Sequence, residues 1–249
     1  MPALEEIVTA RIIPGWQTVD GNHVGALQVT LAPGWKTYWR AAGESGIPPV
    51  FRWGGSRNID RVELLWPRPD ILTAGGAEIL GFSDELILPI RFQAREPGRE
   101  IQARGVVELG VCREVCIPVQ IPFSADLAPS DADTQSLIKL ALGDQPEKLT
   151  GQRAACRLLA REDGYTLEAE LMLPQTSETH EVAVMELALD GVWVAPSMVH
   201  RQGDRLVVSS DLMSYDGSPF QPVLNSFRLT VIDANRAIEV SGCASAKGE

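Results

Sequence analysis

Short stretches that alternate apolar and polar residues with period two, each closed by a turn signal, constrain this chain more than any other feature. Residues 24–31 alternate and run into Pro33-Gly34, and residues 61–66 halt at Pro67. Residues 85–92 and 101–109 flank Glu96-Pro97-Gly98-Arg99. Alternation of this kind buries one face of a strand and leaves the other wet, and several such strands in series make a sandwich or barrel. Residues 117–124 carry Pro118 and Pro122. Each removes a ladder donor, so this run belongs at a sheet edge.

The second half repeats the pattern at residues 165–173, 181–187, 191–195, 205–209, 226–232 and 237–243. Between the halves lies the one credible helix. Ser130 or Asp131 caps it, and Leu137, Ile138, Leu140, Ala141 and Leu142 give an apolar face. Gly143 ends it and Pro146 prevents a restart. The expected fold class is therefore mainly β. A first β domain spans residues 1–128, a helical connection 129–148, and a second, sandwich-like all-β domain 149–249.

Composition removes whole classes of function. At 45% hydrophobic the chain can bury a real core, and its formal net charge of -11 argues against nucleic acid as a partner. No run approaches the roughly 20 apolar residues of a membrane span. Met1 to Glu6 shows neither a basic start nor an apolar stretch, so no leader is visible. The sequence holds no GxSxG, no HExxH, no phosphate loop and no dinucleotide glycine pattern. The tryptophans Trp35, Trp39, Trp53, Trp66 and Trp193 read as core or sandwich-edge aromatics.

Four cysteines remain: Cys112, Cys116, Cys156 and Cys243. Four allow three pairings. On a straight strand Cys112 and Cys116 would lie roughly 13 Å apart at about 3.3 Å per residue, too far for a bond. If they bond, the chain must turn back between them, as a tight hairpin tip or one helical turn. So short a loop stabilises a fold little, which suits exchange better than stapling. Arg113 favours a thiolate and Glu114 opposes it, so neighbouring charge activates neither sulfur strongly. An inert structural disulfide and a metal pair are the competing readings. His23, His180 and His200 do not lie at ligand spacing, so no metal site is expected, although two thiolates suit soft Cu(I). Cys156 and Cys243 open and close the second half. A bridge there would close a long loop, for about 4 to 5 kcal/mol in the chain-entropy account; two separate buried thiols are the alternative.

Three further stretches resemble the N-terminal domain family of the membrane reductase DsbD. They are Gly34-Trp35-Lys36-Thr37-Tyr38-Trp39-Arg40 with Gly46-Ile47-Pro48-Pro49, then Trp66-Pro67-Arg68-Pro69 with Gly81-Phe82 and Leu86-Ile87-Leu88-Pro89, then Cys112-Arg113-Glu114-Val115-Cys116-Ile117-Pro118. The second half resembles the extension of standalone and copper-sensitivity-related, ScsB-type members. The resemblance implies an immunoglobulin-like sandwich for the first domain, and a periplasmic location with the leader removed. It implies thiol–disulfide exchange that relays electrons, with Cys116 forming the mixed disulfide and Cys112 resolving it. Partners would be thioredoxin-fold periplasmic proteins and a membrane-embedded thiol reductase, and no cofactor is called for. Tyr38 and Arg40 would line the site. A cap loop over Thr73 to Ser83 would cover it, with Phe82 as an aromatic lid. Two departures stand out: the best-known members separate their cysteines by more residues, and their cap is richer in acidic and aromatic side chains. The other reading is a non-catalytic periplasmic binding module, for copper(I) tolerance or as an assembly partner.

Overall fold

Alternation becomes pleated sheet almost wherever the sequence shows it. The computed structural model describes residues 3–43, 46–74, 76–175 and 180–244. The chain divides into two compact units, Met1–Gln145 and Pro146–Glu249.

In the first unit a single helical turn, α1 (Leu4–Ile7), leads into strands β1 (Val8–Gln17), β2 (His23–Leu31), β3 (Lys36–Gly43), β4 (Val50–Arg52) and β5 (Ile59–Leu64). They are followed by β6 (Asp70–Ala74), β7 (Ala77–Ser83), β8 (Glu85–Ala94), β9 (Gln102–Cys112) and β10 (Cys116–Asp126). One sheet has the order β1-β2-β8-β5 and the other β10-β9-β3-β7-β6, with β4 also on β9. Leu27, Val29, Leu88 and Ile90 of the first sheet are buried, as are Trp39, Val107, Leu109 and Val111 of the second. The unit is a mainly antiparallel immunoglobulin-like β-sandwich, with β10 and its two prolines at a sheet edge as the proline rule requires. Gly34 takes φ +80° in the turn after β2, a conformation that costs glycine nothing.

The helix (Ala132–Gly143, α2) is capped by Asp131, whose side chain accepts from Thr134 N. The sequence reading treats residues 129–148 as a connection between halves. The structure instead packs α2 on the first unit, where fully buried Ile138 joins Ile13, Val24, Ala26 and Ile87, with Leu137, Ala141 and Leu142 around them. The apolar face explains it: three large side chains, Leu137, Ile138 and Leu142, need a sheet to cover them, while Leu140 is left exposed.

The second unit contains β11 (Glu147–Lys148), β12 (Ala154–Arg161), β13 (Gly164–Met172), β14 (Val182–Glu186), β15 (Val192–Val194) and β16 (Met198–Gln202). It continues with β17 (Arg205–Ser214), β18 (Arg228–Ile232), β19 (Ala237–Ser241) and β20 (Cys243–Ala244). Its sheets run β11-β19-β18-β14 and β15-β17-β13-β12-β20, with β16 also on β17. Leu167, Ala169, Leu206, Val208, Phe227, Leu229 and Val240 fill the core between them. Arg201 forms a bidentate pair with Glu181 (2.5 and 2.8 Å) and donates to the carbonyls of Leu173 and Gly203, so this poorly exposed charge is well satisfied.

Candidate functional site

The β9–β10 hairpin decides the geometry of the clustered cysteines. In its register Cys112 and Cys116 stand directly opposite each other, and only Arg113, Glu114 and Val115 connect them. Arg113 N donates to Val115 O at 3.4 Å across this tip. The Cα atoms are 4.1 Å apart and the sulfurs are bonded. Of the two ways the chain could turn back, it uses the hairpin.

Strand alternation then tells which side of the sheet carries the chemistry. Residues opposite each other across antiparallel strands share a face, and successive residues take opposite faces. Lys36 pairs with Cys112 and Tyr38 with Gly81, whereas Thr37 pairs with both Val111 and Phe82. Cys112, Gly110, Tyr38, Gly81 and Ile79 therefore lie on one face. Thr37, Val111 and Phe82 lie on the other, which is buried.

Tyr38 is the principal neighbour of the sulfurs. Its hydroxyl lies 3.0 Å from Cys116 Sγ, and since a disulfide sulfur has no proton, the hydroxyl donates. Burial raises the phenol above its usual value near 10, so it stays protonated. The ring crosses Gly110, where a Cβ would fall 2.7 Å from Tyr38 Cε2 and 2.7 Å from Ile47 Cβ. A side chain at position 110 would push the ring off the sulfur. Thr37 Oγ1 donates to Gly110 O at 2.9 Å and fixes β3 against β9 at this level.

Tyr38, Ala74, Ile79 and Cys112 form one buried apolar cluster, with Ile47, Leu72 and Cys116 packed against it. Cys112 is fully buried, while Cys116 is half-buried. The expected cap loop is in fact an antiparallel hairpin, β6–β7, with Ala74 paired to Ala77. Gly75 lies outside the described residues. Phe82 does not join the cluster: pairing with Thr37 turns it to the inner face, where it is buried. Leu72, Ala74 and Ile79 provide the cover that an aromatic lid was expected to give. Arg40 places its guanidinium carbon 3.9 Å from the Trp39 ring centroid. Trp39 Nε1 in turn donates to Pro67 O at 2.9 Å, joining two of the motifs quoted from the sequence.

Residues 9–128 match the family model described as thiol:disulfide interchange protein DsbD, N-terminal. This segment is similar to DsbD N-terminal domains. Among solved structures, the chain is similar to the N-terminal periplasmic domain of ScsB from Proteus mirabilis, with 23% identity and a TM-score of 0.67. The similarity covers 96% of this chain and 92% of that one, so the fold likeness extends through the second unit. No curated protein matches the chain.

Beyond the matched segment, Cys156 on β12 is bonded to Cys243 on β20, with Cα atoms 5.4 Å apart. Ala154 pairs in parallel with Cys243, so the bond ties the start of the second unit's sheet to its last strand. All four cysteines are thus in disulfides. Among the described residues no group of three or more His, Cys, Asp and Glu side chains is arranged to hold a metal. Nor is any helix there long and apolar enough to cross a membrane. Leu72 was missed from sequence, and Ile47, Ala74 and Ile79 lay in quoted stretches without being assigned a place beside the sulfurs. Their signal was apolarity at alternate positions in a glycine-rich stretch, which reads equally well as a loop.

Proposed function

We propose that the DsbD N-terminal domain of this chain exchanges its Cys112–Cys116 disulfide with thioredoxin-fold partners in the periplasm, relaying electrons delivered from a membrane-embedded thiol reductase. One observation carries the reading: the bond joins a sealed sulfur, Cys112, to a half-buried one, Cys116, at the end of a hairpin. A staple has no use for that asymmetry. An exchange site does, because it offers a visiting thiolate a single sulfur to attack.

The chemistry is a pair of displacements. A partner thiolate attacks Cys116 Sγ; the partner–Cys116 bond forms as the Cys112–Cys116 bond breaks, and Cys112 leaves as a thiolate that takes a proton. The partner's second thiolate then attacks its own sulfur in the mixed disulfide, and Cys116 leaves as the thiolate. Two electrons have moved: the partner is oxidised to its disulfide and the cysteine pair is reduced to two thiols. Tyr38 acts at the second step, where its donated hydrogen bond stabilises the departing Cys116 thiolate. Run backwards, the same steps pass electrons on. Periplasmic location is supported by the domain named in the similar solved structure.

The test is trapping. With a thioredoxin whose resolving cysteine is serine and whose remaining active-site cysteine carries a disulfide-linked thionitrobenzoate, the Cys116 thiolate of Cys112→Ser should displace thionitrobenzoate and accumulate a mixed disulfide, and Cys116→Ser should accumulate none. The reduction potential is the second check. A value well below about -300 mV marks a structural bond and would end the relay reading.

A further inference from the structure

The hairpin tip carries a feature that the bond itself does not need. Val115 is 71% exposed, immediately before the half-buried sulfur of Cys116. A valine at a solvent-facing tip gains nothing for the fold. The tip is also held in place. The Arg113 guanidinium carbon lies 5.5 Å from the Trp35 ring centroid, within cation–π reach. The Arg113 stem passes close to Gly34, where a Cβ would sit 3.5 Å from Arg113 Cδ. Arg113 N bonds Val115 O across the turn. Trp35 is itself buried, so the tip is anchored to the sandwich and Val115 is presented at a fixed place.

Attack on Cys116 requires a partner sulfur to approach to a bond length of about 2.05 Å. A protein surface brought that close must cover the residue adjoining the target. We infer that Val115 is the contact by which this chain recognises its protein partner, a dithiol protein of the thioredoxin class with an apolar rim beside its reactive cysteine. The inference rests on the exchange reading and adds to it the source of partner selectivity. Val115 and the partner's apolar rim both face water before docking and share a dry contact in the mixed disulfide, as apolar groups do in the buried core of an interface. A small thiol needs no such contact.

Reduction of the intact oxidised chain by reduced thioredoxin and by dithiothreitol separates the two cases. In Val115→Asp the second-order rate with thioredoxin should fall about tenfold, as the loss of about 1.4 kcal/mol of docking energy. The dithiothreitol rate should stay within about twofold, because a solvent-exposed charge is screened. Val115→Ser should show the same selective loss, to a smaller degree. Equal changes with both reductants, or no change, would overturn the inference. So would a loss confined to Val115→Asp, which would be charge repulsion and not a lost apolar contact. If wild type is reduced by dithiothreitol and not by thioredoxin, the exchange reading itself fails, and the two failures are told apart.

Discussion

His23 opens β2 and is 2% exposed, and its Nε2 finds no hydrogen-bond partner among the described residues. Burial disfavours the charged ring and lowers its pKa from 6.5 to about 4. Well above pH 6.5 the ring is neutral in both folded and unfolded chains, and proton uptake does not distinguish them. As the pH falls from 6.5 towards 4 the unfolded chain takes up a proton that the folded chain refuses, and stability is lost. Over that window the loss comes to about 3 kcal/mol. Urea unfolding followed at pH 7 and pH 4 should show this loss in wild type and lack it in His23→Leu, measured as the difference between the two proteins. An equal acid loss in both would clear His23 of the effect. No pattern around His23 announced its burial: it sits at the polar end of an alternating run, and only its pairing with Phe92 and Gln17 encloses it. Cys112, Cys116 and Tyr38, by contrast, could be picked out beforehand, because motif and spacing named them. Phe82 and Arg40 could be named but not oriented. A one-residue difference in register sends a side chain to the opposite face of a sheet, and register is a property of two strands, not of one.

At the scale of elements, the alternating runs were legible because one face of each is buried and the other is not. β3, β6 and β7 escaped for a physical reason. β3 and β7 bury successive residues on both faces, Thr37, Tyr38 and Trp39 in one and Ile79, Leu80 and Phe82 in the other, so period two is blurred beside the site. The β6–β7 hairpin also contains Gly76 at φ +83°, a turn residue that disguised two strands as a loop. Helix α2 was legible in its caps and apolar stripe, but not in its destination. Its anchor is Ile138, fully buried against Ile13, Val24, Ala26 and Ile87. A Cβ at Gly15 would approach Ile138 Cδ1 to 3.0 Å, so the glycine in β1 leaves room for it. Ser130, just before the helix, donates through both N and Oγ to Gly15 O and fixes the angle of entry. Ile138→Ala should cost the first unit about 2 to 5 kcal/mol, the range for large-to-small core changes. The check is a shift of the urea midpoint at an unaltered slope. A change below 1 kcal/mol would mean that the helix is only loosely attached.

At the scale of the whole molecule the two disulfides divide the work by loop length. Cys112–Cys116 spans four positions and constrains little of the unfolded chain, so breaking it in the proposed exchange need not unfold the domain that carries it. Cys156–Cys243 spans 87 positions and encloses nearly the entire second unit. In the chain-entropy account it stabilises that unit by about 4 to 5 kcal/mol, less any cost to the native state. The second unit needs such help more than the first: its last strand, β20, is two residues long and pairs with β12 in parallel at two positions. In the double variant Cys156→Ser/Cys243→Ser the second unit should therefore unfold at lower urea, by about 4 kcal/mol of stability, while the first unit keeps its own transition. Trp193 reports on the second unit, and the thioredoxin exchange rate at Cys116 reports on the first. Loss of exchange together with loss of the second unit's stability would contradict this division, and would mean that the second unit takes part in presenting the tip to its partner.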